Sequence, residues 1–387
     1  MSLVEKWDVC GSAYDPCPLQ IVTESGQPQP YNKEDAAQVA VRYPGGCSKG
    51  ELTIPGKQQA LDLGQWLRWR YMKEAGFLPR EGLIDARTTN FARTIATLQG
   101  VLTGLYPAAQ QPFRVVTTEA IDEVLYANVD ACQRLKALMY TASRADKGTS
   151  SSQPGPPEVE RAKAVVREVL GLGPGEKVNF PDLYDAITTA VTHHKPLPAA
   201  LQDPRLQQVV EQQALRRLLS VLAPHAESGS RQEVLRLSLG RLMHFMIERM
   251  EAAAAGRPGP RLHLYSGHDS TVLPMLVALG ARVDRWPPYM ANIVLELWQR
   301  AGSGEHYVKV LYNRKPMRLS ELCPEGEGGG ASCELQHFKE HVLGPYLLSK
   351  EAHTEECTAG FHHDRPLGDP GCMEEQHISI GAALSED

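Results

Sequence analysis

The stretch "HLYSGHDSTVLP", residues 263–274, decides how this chain folds. Leu262, Leu264 and Tyr265 suit a short buried strand. Ser270 is placed to cap a following helix. Thr271, Val272, Leu276, Val277 and Leu279 give that helix an apolar face, and Gly280 suits its stop. Pro274 then falls in the first turn, where backbone N–H groups have no intrahelical partner. His268 and Asp269, between Gly267 and Ser270, therefore stand at the carboxyl end of a strand, where open α/β sheets bind their ligands.

The stretch "GLIDARTTNFARTIATLQGVLTGL" repeats the theme. Leu83 and Ile84 read as a strand, Arg87 follows it, and Thr88, Thr89 or Asn90 caps a helix buried through Ile95, Leu98, Leu102 and Leu105. Ahead of it, "LTIPGKQQALDLGQWLRWRY" opens on Thr53 as N-cap and Pro55 in the first turn, with Ala60, Leu63, Leu67 and Tyr71 on one stripe. "NIVLELWQ" and "HYVKVLYN", joined by "RAGSGE", read as a hairpin.

These elements place an α/β core at residues 43–118 and 257–350, split by a mostly helical cap over 119–256. "LQQVVEQQALRRLLSVL" and "EVLRLSLGRLMHFMIERMEAAAAG" are its long amphipathic helices, and "DKGTSSSQPGPP" is expected to interrupt it as a loop. Residues 1–42 read as irregular and 351–387 as a flexible tail.

At 387 residues, 42% of them hydrophobic, the chain is long enough for a large core. A net charge of −6 with dispersed basic residues argues against nucleic acid as a partner. No apolar run reaches the length of a membrane span, and "MSLVEKWDVC" shows no targeting signal. Of the eight cysteines, Cys10 with Cys17 and Cys323 with Cys333 are spaced for short-range bridges, which need an oxidising compartment; reduced thiols are the alternative. The tail offers Cys357, His362, His363, Cys372 and His377 as zinc donors, but their irregular spacing among Pro and Gly favours a loose tail without metal. No cofactor is expected.

"GELTIPGKQ" fails as a phosphate loop, because five residues rather than four separate Gly50 from Gly56 and Gln58 stands where Ser or Thr must reach magnesium. No G-x-S-x-G elbow exists. Two strand ends remain. Arginine's planar fork suits two phosphate oxygens, so Arg87 and His268 make a candidate oxyanion site. Asp269 beside them can protonate a departing alkoxide.

Together "LTIPGKQQALDLGQWLRWRY", "ARTTNFARTIATLQGVLTGLYP" and "LYSGHDSTVLPMLVALG" resemble the histidine acid phosphatases, branch two of the histidine phosphatase superfamily, with lysophosphatidic-acid phosphatases nearest within it. "EVLYANVDAC", "RWPPYMANIVLELWQ" and "ELCPEGEGGGASCELQHF" support the likeness, which runs from about residue 43 to 350. The resemblance implies a Rossmann-like sheet of phosphoglycerate-mutase type with an inserted helical cap. It also implies metal-free acid hydrolysis of a small phosphomonoester, a lysophospholipid among the candidates. By it Arg87 binds phosphate, His268 contacts phosphate, Asp269 is the general acid, and Cys323 and Cys333 form a disulfide. Residues near Glu123 and Tyr126 would line the pocket.

The family's R-H-G-x-R-x-P motif, which carries the nucleophilic histidine on the first strand, is absent: none of the 13 histidines stands in that context. In the lysophosphatidic-acid phosphatases it falls shortly before a stretch corresponding to "EKWDVC". The chain is therefore expected to begin just after the motif and to lack the sheet's central first strand. Two readings stay open: a truncated form of an active phosphatase, or an inactive relative that binds a phosphate ligand.

Overall fold

The computed structural model describes residues 3–79, 84–151, 155–173, 176–224, 229–319, 322–323 and 332–359. Four parallel strands form the first sheet in the order β1–β3–β2–β4: β1 (Leu19–Val22), β2 (Ile84–Thr88), β3 (Phe113–Val116) and β4 (Leu262–Ser266). β1 runs beside β3 from Leu19↔Phe113 to Val22↔Val116, and β2 beside β4 from Ile84↔Leu262 to Thr88↔Ser266. The second sheet is antiparallel: β5 (Ile293–Gln299) pairs β6 (His306–Tyr312) from Ile293↔Tyr312 to Gln299↔His306. Short strands β7 (Lys315–Pro316) and β8 (Cys333–Glu334) also pair β6. Among the described residues no strand joins β4 to β5.

Leu19–Val22 is a strand and α1 (Lys33–Ala40) a helix, where composition reads as irregular. Asn32 explains α1, since its side chain accepts the N–H groups of Glu34 and Asp35. The β1 strand is held by its partner β3, which a single-segment reading does not see.

Two helices cover the parallel sheet. In α2 (Ile54–Arg68), Thr53 is the N-cap and accepts from the Gly56 N–H, and a π-type turn, Trp69–Glu74, extends it. α3 (Ala92–Leu105) packs so close to it that a Cβ on Gly64 would stand 2.0 Å from the Val101 carbonyl oxygen. A Cβ on Gly104 would stand 2.2 Å from that of Leu61. The N-cap of α3 is Phe91, not Thr88, Thr89 or Asn90, because strand β2 runs on through Thr88. Asp35 of α1 accepts the Ala92 N–H instead, a tertiary cap.

Helices α4 (Gln133–Ser151), α5 (Pro157–Leu170), α6 (Phe180–Thr192), α7 (Pro204–Leu222) and α8 (Arg231–Ala254) come after β3. α4 takes up half of "DKGTSSSQPGPP", against the expected loop; residues 152–154 lie outside the described residues. One apolar cluster joins Val166, Ile187 and Val210 of α5, α6 and α7, and another joins Leu218 and Leu237 of α7 and α8.

The chain closes with α9 (Asp269–Ala278), α10 (Leu335–His337) running into a π-type turn at Phe338–Leu343, and α11 (Lys350–Thr358). So the expected tail begins as a helix, and a Cys132–Cys357 bridge pins it across a sequence separation of 225 residues. Cys323 is bonded to Cys333. Cys10 pairs with Cys47 rather than Cys17, because Trp7 bonds the backbone of Pro44 and Cys47 while Cys17 lies buried against Leu98 and Leu102. Of the tail residues weighed as zinc donors, Cys357 is consumed by its bridge, and His362, His363, Cys372 and His377 lie outside the described residues. Among the described residues, no helix is long and apolar enough to cross a membrane.

Candidate active site

β4 ends at Ser266, and the chain turns into α9 through Gly267. A Cβ on Gly267 would meet Thr271 Oγ1 at 2.6 Å, so the turn needs glycine. The N-cap is His268, two residues earlier than Ser270. Thr271 Oγ1 accepts the His268 N–H at 3.0 Å and donates to the Leu125 carbonyl. The early start moves Pro274 past the first turn and into the helix, where its ring and missing N–H interrupt the backbone ladder.

The imidazole of His268 sits edge-on to Phe91, with ring centroids 5.3 Å apart, and near Tyr126 at 5.9 Å. Its Nε2 lies 3.0 Å from Thr89 Oγ1, which in turn meets Thr94 Oγ1 at 2.9 Å. Burial, followed by the positive charge of Arg93, pushes His268 down to about 3. Both influences favour the neutral ring.

Asp269 opens onto a cleft lined by β4 and β5. One carboxylate oxygen accepts the Ser270 N–H at 2.8 Å and the other accepts the Trp286 indole N–H at 3.1 Å. Burial raises its carboxyl above the ordinary range against those bonds. A shift in that direction favours the protonated form, the form a general acid uses.

Arg87 lies near the end of β2, in register with Tyr265 of β4. It is 7% exposed. Its guanidinium donates to Glu24 Oε1 at 2.5 Å and stands 3.8 Å from Glu123 Oε1, while its Nε has no partner. The fold thus brings the two strand ends together through Thr89, which comes two residues after Arg87 and meets His268. It does not open the arginine fork to the cleft, because two carboxylates occupy it. Glu123 is held by the Val124 and Leu125 N–H groups at 2.8 and 2.9 Å, and burial raises its carboxyl. Leu125, rather than Glu123 or Tyr126, faces the cleft.

The cleft measures about 2440 Å³ and runs along the length of both strands. Residues of α6, together with His268, Asp269, Arg93 and Lys49, also line it. Arg93 is a residue that sequence reading passed over. Its guanidinium stacks on Phe91, 4.5 Å from the ring centroid, and donates to Gln38 Oε1 at 3.0 Å. Its visible signal was only its place in the first turn of α3, while its partner Gln38 belongs to the helix read as irregular. Trp286 was missed as well, because its contact to Asp269 is purely tertiary. Among the described residues two further groups could present metal ligands, Cys132–His353–Cys357 and Cys323–Cys333–His337, but in each the thiols are spent on a disulfide.

This strand-end pair in a parallel sheet is matched at the level of sequence by the histidine phosphatase superfamily (branch 2) over residues 23–313. The chain belongs to that family. It is 30% identical over 344 residues to lysophosphatidic acid phosphatase type 6 of Homo sapiens, covering 86% of this chain and 75% of that protein. It is 25% identical over 331 residues to prostatic acid phosphatase of Homo sapiens, covering 81% of each. Among solved structures, the apo form of Hafnia alvei phytase superposes with a TM-score of 0.58 at 14% identity, over 86% of this chain and 95% of that one. That likeness shows the fold, a histidine-phosphatase α/β sheet with many helices. The family and these relatives are phosphoric monoester hydrolases.

Proposed function

We propose that this chain carries the phosphate-binding and proton-donating half of an acid phosphatase that hydrolyses phosphomonoesters without metal, through a phosphohistidine. The observation that supports it best is Asp269: a carboxyl raised by burial, bonded by the Trp286 indole, next to His268 in the lining of a strand-lined cleft. In such a reaction an imidazole attacks phosphorus, the ester P–O bond breaks, and the proton of Asp269 passes to the leaving alkoxide. Water then attacks the phosphohistidine and Asp269 takes back a proton. Arg87 grips the phosphoryl oxygens once Glu24, whose side chain is 65% exposed, swings aside.

The attacking imidazole is not His268, which is committed to Thr89, and none of the 13 histidines stands in an R-H-G-x-R-x-P context. The reading is therefore of a form without its nucleophile. The alternative is a relative that binds a phosphate ligand and does not turn it over; the same lack supports it. A lysophospholipid fits the substrate class, since Leu63, Leu67, Met246 and Met250 give the cleft apolar walls. The disulfides among the described residues fit maturation in an oxidising compartment.

The test joins a strand bearing R-H-G-x-R-x-P to the N-terminus and compares p-nitrophenyl phosphate with an alkyl phosphate. The joined protein should hydrolyse both, and the original chain neither. In the joined protein Asp269→Asn should slow the alkyl ester by roughly 10²- to 10⁴-fold and the nitrophenyl ester far less, since an amide cannot protonate an alkoxide. Equal effects on both esters would remove Asp269 as the acid. Phosphate binding without turnover in the joined protein would favour the binding reading.

A further inference from the structure

Among the described residues, the buried acids are Glu123, Glu211 and Glu296. Glu123 stands beside Arg87, and Glu296 binds Arg70 and Tyr71. Glu211 of α7 has no such place in the site described above. Taking a carboxylate out of water is costly unless its oxygens are bonded. Arg285 donates to Glu211 Oε1 at 2.9 Å, but its side chain is 75% exposed, and so exposed a partner adds little. The same oxygen accepts the main-chain N–H of Trp286 at 3.1 Å. That second bond fixes backbone.

Trp286 is the residue whose indole N–H donates to Asp269 Oδ2 at 3.1 Å. Three restraints converge on it. Pro287 follows it, and a proline disfavours helical backbone in the residue before it. Glu211 holds its main-chain N–H. Tyr184 of α6 packs on its ring, with centroids 5.1 Å apart and planes inclined by 38°. Backbone and ring are both held, and an indole has a single N–H to aim.

We propose that Glu211 is a positioning residue for Asp269: through the main chain of Trp286 it keeps the indole N–H on the carboxylate oxygen. Helix α7 thereby reaches the acid at the start of α9. The indole can only donate, so its bond favours the charged carboxylate and works against the upward push of burial on Asp269. The acid then releases its proton more readily than it would in the same buried place without the indole, and its conjugate base meets a bond already formed. The proposal rests on the phosphatase reading only in calling Asp269 the acid.

The sign of the effect separates this role from a bare charge effect. Glu211 acting by its own negative charge would raise Asp269, so removing the charge would lower it. Glu211 acting through Trp286 lowers Asp269, so removing the acceptor raises it. Arg93 of α3, Asp185 of α6, Tyr289 and His268 also face or adjoin Asp269, while Arg285 and Tyr184 face Glu211. All of these stay unchanged in the variants.

The experiment titrates the whole chain, labelled at the aspartate carboxyl carbons, by carbon NMR, with Asp269→Asn identifying the Asp269 signal. Glu211→Met keeps a similar volume and removes the acceptor, whereas Glu211→Gln removes the charge and keeps an acceptor oxygen. Glu211→Met and Trp286→Phe should each raise the Asp269 midpoint by about one pH unit, the worth of one hydrogen bond to a charged group. The two together should raise it no further than either alone, because they break the same bond. Glu211→Gln should leave it in place. A midpoint that falls in either Glu211 variant would show a charge effect and overturn the proposal. So would an unmoved midpoint in Glu211→Met or Trp286→Phe, or two shifts that add. Glu211→Ala, which favours the helix, replaces the methionine variant if that one does not fold. The titration needs no turnover. Shifts as expected support the positioning role even where alkyl phosphate hydrolysis by the joined protein ignores Asp269→Asn, a result that removes only the acid reading.

Discussion

The two sides of β4 differ. Toward β2 it is paired along its length, and the layer beneath is sealed: Ala86 is 2% exposed, Val115 and Leu102 are 0%. Toward β5 it faces a cleft, its residues half-buried and the Tyr265 hydroxyl without a partner. The contrast teaches that, among the described residues, the parallel sheet stops at β4, while on its covered side α2 and α3 pack closely over Gly64 and Gly104. It also puts His268 and Asp269 at the boundary between the sealed and the open side.

The largest difference is expected from truncating one leucine on each side. Leu102→Ala empties a fully buried site and should cost about 2–5 kcal/mol, whereas Leu264→Ala on β4 should cost less than about 1.5 kcal/mol. Urea midpoints at a common slope decide it; equal losses would mean that β4 is already covered on its open side.

A smaller effect comes from a buried link on the paired side. Asp85 of β2 meets His263 Nδ1 at 2.9 Å and the Arg249 guanidinium at 2.9 Å. The bond from His263, supported by Arg249 and opposed by burial, holds Asp85 down at about 2. A depressed carboxyl contributes stability that is present above the unfolded value near 4 and is lost as pH falls through about 2. Stability should thus drop by about 2 kcal/mol in that window. Asp85→Asn should flatten the drop; an unchanged slope would show that the link is not what β2 and β4 share.

The smallest effect concerns the arginine. Glu24→Gln removes an exposed partner from Arg87 and should tighten phosphate or sulfate binding by roughly two- to fivefold, the worth of an exposed ion pair. Calorimetric titration of both proteins reads it, and weaker binding would mean that Glu24 orders the site instead of blocking it.

The difference between the two sides also marks what the amino-acid order makes legible. Hydrophobic period and caps near Thr53 and Gly280 announce α2, α3, α9 and the β5–β6 hairpin, because those signals are local. The Gly267–His268–Asp269 turn is legible for the same reason. β1, α1 and the true caps of α3 and α9 escape such reading, because their partners are distant: β3, Asp35 and Thr271 with Leu125. Arg93, Trp286 and the Glu24–Arg87 pair escape it too, since nothing in the spacing of 93, 286 or 24 points to 269 or 87. Eight cysteines admit many pairings, and the adjacency of Cys10 and Cys17 in sequence misleads where the Trp7–Pro44 contact decides.

The central claim is that, among the described residues, β4 and β5 each pair on one side only, with the other edge on the cleft. Amide hydrogen exchange of the chain alone tests it most directly. In β4, the alternate amides that turn away from β2 should exchange at least about a hundredfold faster than the paired amides of β2 and β3, and the cleft-side amides of β5 should do the same relative to β6. Cleft-side amides protected as well as those of β2 and β3 would show that the two edges are already paired, and the claim of an open strand position would fail.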